Sequence, residues 1–541
     1  MRNEVNDRGH KVVAISSQHT VTLAMRWPEQ ETREMLGFAV RRHNPDDTVL
    51  WLEGLLGFKG QQHEPGVRIT TNQGPIQKMF WADYNIRPAL EYSYEVIPVY
   101  GQPPDALELR EQQAVTIKIE TEDNAKHPDH QVYFNRAVIA SQAYVHNFGL
   151  QPPDESPEAL AWLARGLDQA ILDFIGLAVN DRSLKLDVAA YHLVHPDIIA
   201  VLAKVGSRAR VAVCWKKPDD QKQNQGAVRS LKKAKVEVFK RTKVGAISHD
   251  KFIVLKDKDD QPQAVLMGST NFTVGGVSEQ NNVSHIIRNQ QLAQLYLDTF
   301  ELLIAEDNQG LKEQDAAWMQ ADEKLEVNFS PHATGDRTDL DRFVELVTGA
   351  KSNTFFATFR ATDEELLTAL ADPKNKNIVV RGLVDKVYES SPGEVALYHA
   401  AHQKDPNVVP ATTMGPGTDP LTEELARVGF KPLVHHKFIL IDYGQPNSAV
   451  ITGSANYSNN SSQKNDENTL IVHRDKRVTE MYLGEFHRIY EHYRARWFIN
   501  SQGKQKPQAL YLAEDGSWAK KYYNGSESER FVRVLLGEDG A

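Results

Sequence analysis

A unit that occurs twice constrains this chain more than any other feature of its sequence. The stretch from His435 to Asn456 reads HHKFILIDYGQPNSAVITGSAN. His435 and Lys437 stand two apart at the start of a β-prone run, so strand alternation turns both side chains to one face. Phe438 to Ile441 is continuously apolar, the pattern of a strand covered on both faces. Asp442 closes that run, and after a turn Ala449 to Thr452 form a second apolar strand that delivers Gly453, Ser454 and Asn456. Small and amide residues there suit a loop that approaches a ligand closely. A solvated strand end would also carry a lone His-x-Lys, but this one is not alone. The same order occurs 186 positions earlier: His249 and Lys251, the run Phe252 to Leu255, the run Ala264 to Met267, then Gly268, Ser269 and Asn271. Histidine and glycine are 19 residues apart in the first copy and 18 in the second. A helix-like segment follows each, with Tyr296, Leu297 and Phe300 matching Tyr482, Leu483 and Phe486. An internal repeat of one α/β unit is predicted.

These residues resemble the signature of the phospholipase D superfamily, His-x-Lys-x-x-x-x-Asp followed by Gly-Ser-x-Asn, over roughly residues 130 to 500. The second copy matches fully through His435, Lys437, Asp442, Gly453, Ser454 and Asn456, and Asn465 to Asn468 is similar to the family's Asn-x-Glu-Asn element. The first copy departs from the pattern. Lys256 takes the aspartate position, and Ser278, Glu279, Gln280 and Asn281 stand for the downstream element, leaving Glu279 as the nearby carboxylate to orient a histidine. The resemblance implies two α/β sandwich units related by a pseudo-two-fold axis, with His249 and His435 on either side of one phosphorus. It implies the nuclease-like bacterial branch and a metal-independent phosphodiesterase that works through a phosphohistidine. One imidazole attacks while the other protonates the leaving oxygen and then activates water. Lys251 and Lys437 neutralise the equatorial oxygens, with Asn271, Asn456, Ser269 and Ser454 as further donors. Glu467 is expected to hold His435 in the correct tautomer. The resemblance leans towards His249 as nucleophile, whereas Glu467 beside His435 would argue the reverse. No cofactor and no metal are expected, the positive cluster standing in for one.

At 541 residues the chain needs more than one core. Four segments are expected: a fibronectin- or Ig-like β-sandwich over 1–121, the two repeated units over 130–305 and 325–500, and a tail over 501–541. The polar stretch 122–131 is the first linker. In the first segment short strands alternate, as in Tyr92, Tyr94, Val96 and in Val115, Ile117, Ile119, with Trp81 as a core aromatic. After Ser156 and Pro157, apolar residues recur at helical spacing from Leu160 to Ala178, a single amphipathic helix. A long Pro/Gly-containing stretch, Ser390 to Pro420, is a candidate rim loop. One cysteine, Cys214, excludes a disulfide framework. The first ten residues lack the apolar segment of a signal peptide and no 18-residue apolar run exists, so a cytoplasmic chain without a transmembrane segment is expected.

The formal net charge is −10, yet Lys216 to Lys243 holds ten Lys or Arg against three acids, immediately before His249. Charge runs are commonly solvated faces, but at this position one reads as a polyanion track entering the site. Cleavage of DNA or RNA is therefore the leading expectation. A phospholipase D or phosphatidyl transferase acting on phospholipid, and a non-catalytic polyanion-binding module, are the alternatives. Both motifs lie on one chain, so an oligomer is not required to build the site.

Overall fold

The computed structural model describes residues 1–61, 68–137, 141–149, 151–371, 376–386, 391–394, 396, 407–411, 433–498 and 511–538. The repeat is visible in its sheets. The first has strand order 130–134, 283–287, 262–268, 251–256, 185–190, 209–214, 237–241. The second runs 325–330, 467–473, 449–453, 437–441, 353–358, 379–384, 408–410, with Met319–Gln320 added at its outer edge. Pairing is antiparallel across the first five strands and parallel across the last three in both sheets. The register repeats as well: Lys251 faces Ala190, and Lys437 faces Thr358. The continuous apolar runs are strands with every residue buried, as expected of sheets covered on both sides.

Two helices carry the matched Tyr-Leu-x-x-Phe pattern, Gln290–Ala305 and Lys476–Phe498. Both place their tyrosine against the phenylalanine of the strand that follows His-x-Lys. Tyr296 packs edge-on to Phe252 and to Phe329 of the other half, and Tyr482 packs edge-on to Phe438 and to Phe134 of the other half. The two halves thus share one core rather than abutting as separate bodies.

Residues 2–120 form a four-stranded sheet ordered 2–7, 10–16, 21–26, 80–83 and a second sheet in which 91–102 is flanked by 37–43 and 106–109 and also pairs 115–120. The alternation read at Tyr92, Tyr94, Val96 and at Val115, Ile117, Ile119 matches their burial. Trp81 is only half-buried, whereas Trp27, fully buried and stacked on His10, is the core indole. The helix expected from Leu160 to Ala178 is two, Pro157–Ala164 and Leu167–Asn180. Arg165 at φ 53° and Gly166 at φ 84° turn the backbone left-handed between them, which ends the first helix as a Gly-type cap does. Of the expected rim loop, Val408–Pro410 is the edge strand of the second sheet, and most of the remainder lies outside the described residues.

The tail is part of the body. Its helix Glu527–Leu536 buries Phe531, Val532, Leu535 and Leu536 against strands of the N-terminal sheet and the strand Val379–Val384. Arg381 of that strand holds Glu527 through two bonds of 2.9 and 3.0 Å, and its guanidinium lies 3.4 Å from the Phe531 ring centroid. Truncating Phe531 removes the apolar contact and leaves Arg381 without its aromatic lid. Phe531→Ala is expected to destabilise the chain by about 3–5 kcal/mol, read as a lower midpoint in urea; an unchanged midpoint would show the tail helix to be dispensable.

Candidate active site

Each half builds its part of the site the same way. Strand alternation puts His249 and Lys251 on one face, and His435 and Lys437 likewise. Each lysine turns back to donate to the carbonyl of its own histidine, at 2.8 Å for Lys437 to His435 O. An aromatic from the neighbouring strand walls each pair. Tyr191 lies 5.0 Å from the His249 ring and 5.5 Å from Lys251 Nζ, and Phe359 lies 5.1 Å from His435 and 5.2 Å from Lys437 Nζ. Neither aromatic was singled out from the sequence. The equal strand register gives them away, since each follows the residue paired with the lysine.

The glycines of the Gly-Ser-x-Asn loops are imposed by space. Gly268 and Gly453 have φ of 151° and 155°, and a Cβ on either would lie 2.2 Å from a carbonyl oxygen of the neighbouring strand. The serines that follow are fully buried and already engaged. Ser269 Oγ donates to Asn282 Oδ1 at 2.9 Å and accepts from Val283 N, and Ser454 Oγ accepts from Asn468 N at 3.0 Å. Ser269, whose proton goes to Asn282, therefore braces its loop instead of donating to a phosphate as expected, whereas Ser454 only accepts in these bonds and keeps its own proton. Asn271 and Asn456 are half-buried, and each keeps a side-chain oxygen without a hydrogen-bond partner.

The orienting groups cross between the halves. Glu467 Oε2 accepts from His249 Nδ1 at 2.7 Å, and not from His435 as the sequence suggested. Its other oxygen accepts from Ser461 Oγ at 2.6 Å and Asn465 Nδ2 at 3.0 Å, which fixes the carboxylate in place. His435 Nδ1 instead meets Asn282 Oδ1 at 2.8 Å. The Asn282 amide donates to Gly276 O at 2.8 Å, so its oxygen is the end that faces the ring and His435 carries its proton on Nδ1. Glu279 makes no hydrogen bond with either histidine. The second correction follows from strand register: Gly453 pairs Thr469 and Gly268 pairs Ser284, which makes Asn282, not Glu279 or Gln280, the counterpart of Glu467.

Backbone bonds repeat the crossing. His249 N donates to Asp466 O at 2.8 Å and Asp466 N to Ile247 O at 3.1 Å; on the other side Asn281 N donates to Leu433 O at 3.1 Å. Arg241, counted from the sequence among the exposed cations, is buried and pairs with Asp466 at 3.0 Å. Asp442 accepts backbone N–H bonds from Lys351, Ser352 and Asn353, a structural knot away from the site. Its counterpart Lys256 pairs with Asp187 at 2.7 Å.

Burial governs the charges. It pushes the His249 pKa down to about 4, with Glu467 opposing and Lys251 and Lys437 adding to the fall. Burial, Lys437, Lys251 and the His249 ring hold His435 well below the ordinary histidine range. Lys251 is brought to about 7 by burial, and Lys437 falls well below the ordinary lysine range through burial and Lys251. Each of these groups feels the charge of others in the set, which places the four side chains near one another.

The exposed part of the basic stretch begins beside this pocket. His192 stacks on Tyr191 at 3.8 Å between centroids, and its Nε2 lies 3.5 Å from Asp220 on the helix Pro218–Lys233. Lys216, Lys217, Lys222, Arg229, Lys232, Lys233, Lys235, Lys240 and Lys243 are exposed, and Lys240 lies 3.9 Å from the Trp215 ring centroid.

A family model described as "Cardiolipin synthase, PLD-like domain" matches residues 180–304 and 343–490. No curated protein matches the sequence. Among solved structures, the chain is similar to polyphosphate kinase from Porphyromonas gingivalis at 12% identity, covering 64% of this chain and 48% of that one, with a TM-score of 0.40. It thus spans about half the length of that kinase. Phosphatidylserine synthase from Haemophilus influenzae is 12% identical, covering 65% of this chain and 90% of that one at a TM-score of 0.41. The phospholipase D family member Nuc from Salmonella typhimurium is 18% identical over 31% of this chain and 94% of that one, at a TM-score of 0.22. Among the described residues no helix is long and apolar enough to cross a membrane.

An oxyanion in the pocket would favour the charged forms that burial disfavours, so its arrival raises the pKa values of Lys251, Lys437 and both histidines. At pH 8 the empty site holds fewer protons than the same groups in water, and binding must take protons up. Calorimetry with vanadate in buffers of different ionisation enthalpy is expected to show net proton uptake, and a buffer-independent heat would contradict this account.

Proposed function

This chain belongs to the phospholipase D-like family, and on that premise we propose that it is a metal-independent phosphodiesterase that cleaves nucleic acid at the pocket shared by His249 and His435. We read residues 1–121 as an accessory β-sandwich, and 130–305 and 325–500 as two units about a pseudo-two-fold axis. The observation that carries the roles is the crossed pair of orienting contacts. Glu467 on Nδ1 of His249 stabilises positive charge on that ring, so its Nε2 is the nucleophile that attacks phosphorus. His435 has a neutral oxygen on Nδ1. Once the bound phosphate raises its pKa, its Nε2–H protonates the leaving oxygen; the bare nitrogen then takes a proton from water for hydrolysis of the phosphohistidine. Lys251 and Lys437 offset the charge of the pentavalent state, and Asn271 and Asn456 complete the cradle.

The substrate class rests on the exposed cations that start beside the pocket at Lys216 and Lys217 and continue along the helix to Lys235. Spaced charges on a helix face fit a repeating phosphate backbone, with Trp215 able to stack a base. Glu467→Gln leaves the hydrogen bond but removes the charge, and is expected to lower turnover by about 10²–10⁴-fold. Reversing Lys216, Lys217 and Lys222 to Glu is expected to weaken binding and to reduce the salt slope by roughly 0.7 log units per lost contact on single strands. Labelled single- and double-stranded DNA, RNA and phosphatidylcholine vesicles, incubated with the chain and a chelator, test the reading directly. Strand cleavage with phosphate trapped on His249 supports it. Choline release without strand cleavage would move the activity to phospholipids, loss of turnover on chelation would end the metal-free mechanism, and no turnover on any substrate would favour a binding module.

A further inference from the structure

Behind the lysines, the two halves of the site use unlike groups for one task. Strand register sets Val213 against Ala190 and Val384 against Thr358, the residues that also face Lys251 and Lys437. The next residue along is Cys214 in the first half and Asp385 in the second. Both are buried, and both hold the amide of the residue that precedes a pocket histidine. Cys214 Sγ accepts from Ser248 N at 3.4 Å, and Asp385 Oδ1 accepts from Val434 N at 3.2 Å. The Asp385 N–H in turn donates to Thr358 O at 3.1 Å, which ties the residue to the strand beside Lys437.

Holding one amide does not require a charge. In the first half burial pushes the Cys214 thiol up to about 11, so it stays neutral, with its proton directed to Asp220 at 3.6 Å. A carboxyl only 3% exposed is the more expensive group to bury. Burial raises Asp385 to about 6, against the pull of the Val434 amide, Lys386 and Lys437, so at neutral pH it is ionised. Its charge reaches Lys437. Burial and Lys251 drive that ammonium towards its neutral form, and Glu467 and Asp385 oppose them. We propose that Asp385 is a positioning residue on the His435 side of the pocket, which seats His435 through the Val434 amide and keeps Lys437 charged for the phosphate. The role rests on reading the pocket as a phosphate site. A carboxylate near an anion ordinarily repels it; this one acts through the lysine, so its loss weakens anion binding. Protonating Asp385 has the same consequence, so its contribution is present above pH about 6 and fades below it.

Inorganic sulfate is the probe, because it remains a dianion across this pH range and needs no turnover. Asp385→Asn keeps an oxygen for the Val434 amide and removes the charge. Calorimetry on the full chain at pH 8 is expected to show sulfate bound roughly 3- to 10-fold more weakly by Asp385→Asn, since one unit of lysine pKa is worth tenfold. At pH 5, where the native carboxyl is itself neutral, the two chains should bind alike. Should Asp385→Asn not fold, Asp385→Cys, which carries the first half's own residue, is read the same way. Equal or tighter binding by the variant at pH 8 overturns the proposal and leaves simple repulsion. A weakening that persists unchanged at pH 5 also overturns it and leaves a purely structural contact. Sulfate bound by neither chain at either pH would bring down the phosphate pocket itself, and this role with it.

Discussion

The site depends on an exchange between the two halves of the chain. Each histidine stands on its own half's strand but is held by a residue from the other half's downstream loop, Glu467 for His249 and Asn282 for His435. The backbone rungs between His249 and Asp466 and between Asn281 and Leu433 make the same exchange one layer back. Arg241, locked to Asp466 at full burial, anchors the exchange from the first half. Breaking such a pair by removing one partner leaves a buried charge, which costs about 3–5 kcal/mol. Neither half can therefore relax its loop without disturbing the other's histidine. This is why the apolar core continues through the shared helices instead of closing around each unit.

Burial explains why so many cationic groups coexist. Lys251, Lys437, His249 and His435 would repel one another if all were charged, and withdrawing them from water relieves that by favouring their neutral forms. Glu467 accepts a hydrogen bond from one of the four, His249. Asp250, between His249 and Lys251 in sequence, points to the opposite face, where burial raises it to about 8 and Asn468 donates to it at 2.7 Å. The pocket is accordingly poised to gain charge when an anion enters rather than to hold charge beforehand.

Much of this architecture was legible in the sequence, because strand alternation, apolar runs and a repeated motif are local signals. The two sheets, their matched helices and the two His-x-Lys faces fall where those signals put them. What escaped was long-range. No local pattern says that Glu467 belongs to His249, since that contact joins residues 218 apart. Residue type alone points to Glu279 as the first copy's orienting acid, whereas counting 14 residues on from each glycine pairs Asn282 with Glu467. Gly166 was the available sign that the helix expected from Leu160 to Ala178 breaks, but the apolar periodicity runs through it. Arg241 looked like one more surface cation, and only its buried partner from the other half shows otherwise.

The carboxamide of Asn282, standing where the matching loop has a carboxylate, gives the cleft a polarity. With the proposed roles, attack comes from the side of His249 and the departing oxygen must lie toward His435. A phosphodiester has two different ester oxygens, so only one way of lying across the cleft is productive. For a polymer of such links, one end is always leading and the other trailing. The fold itself would then decide which fragment keeps the phosphate, and a carboxylate in one loop against a carboxamide in its near-equal counterpart would be what tells one end of a strand from the other.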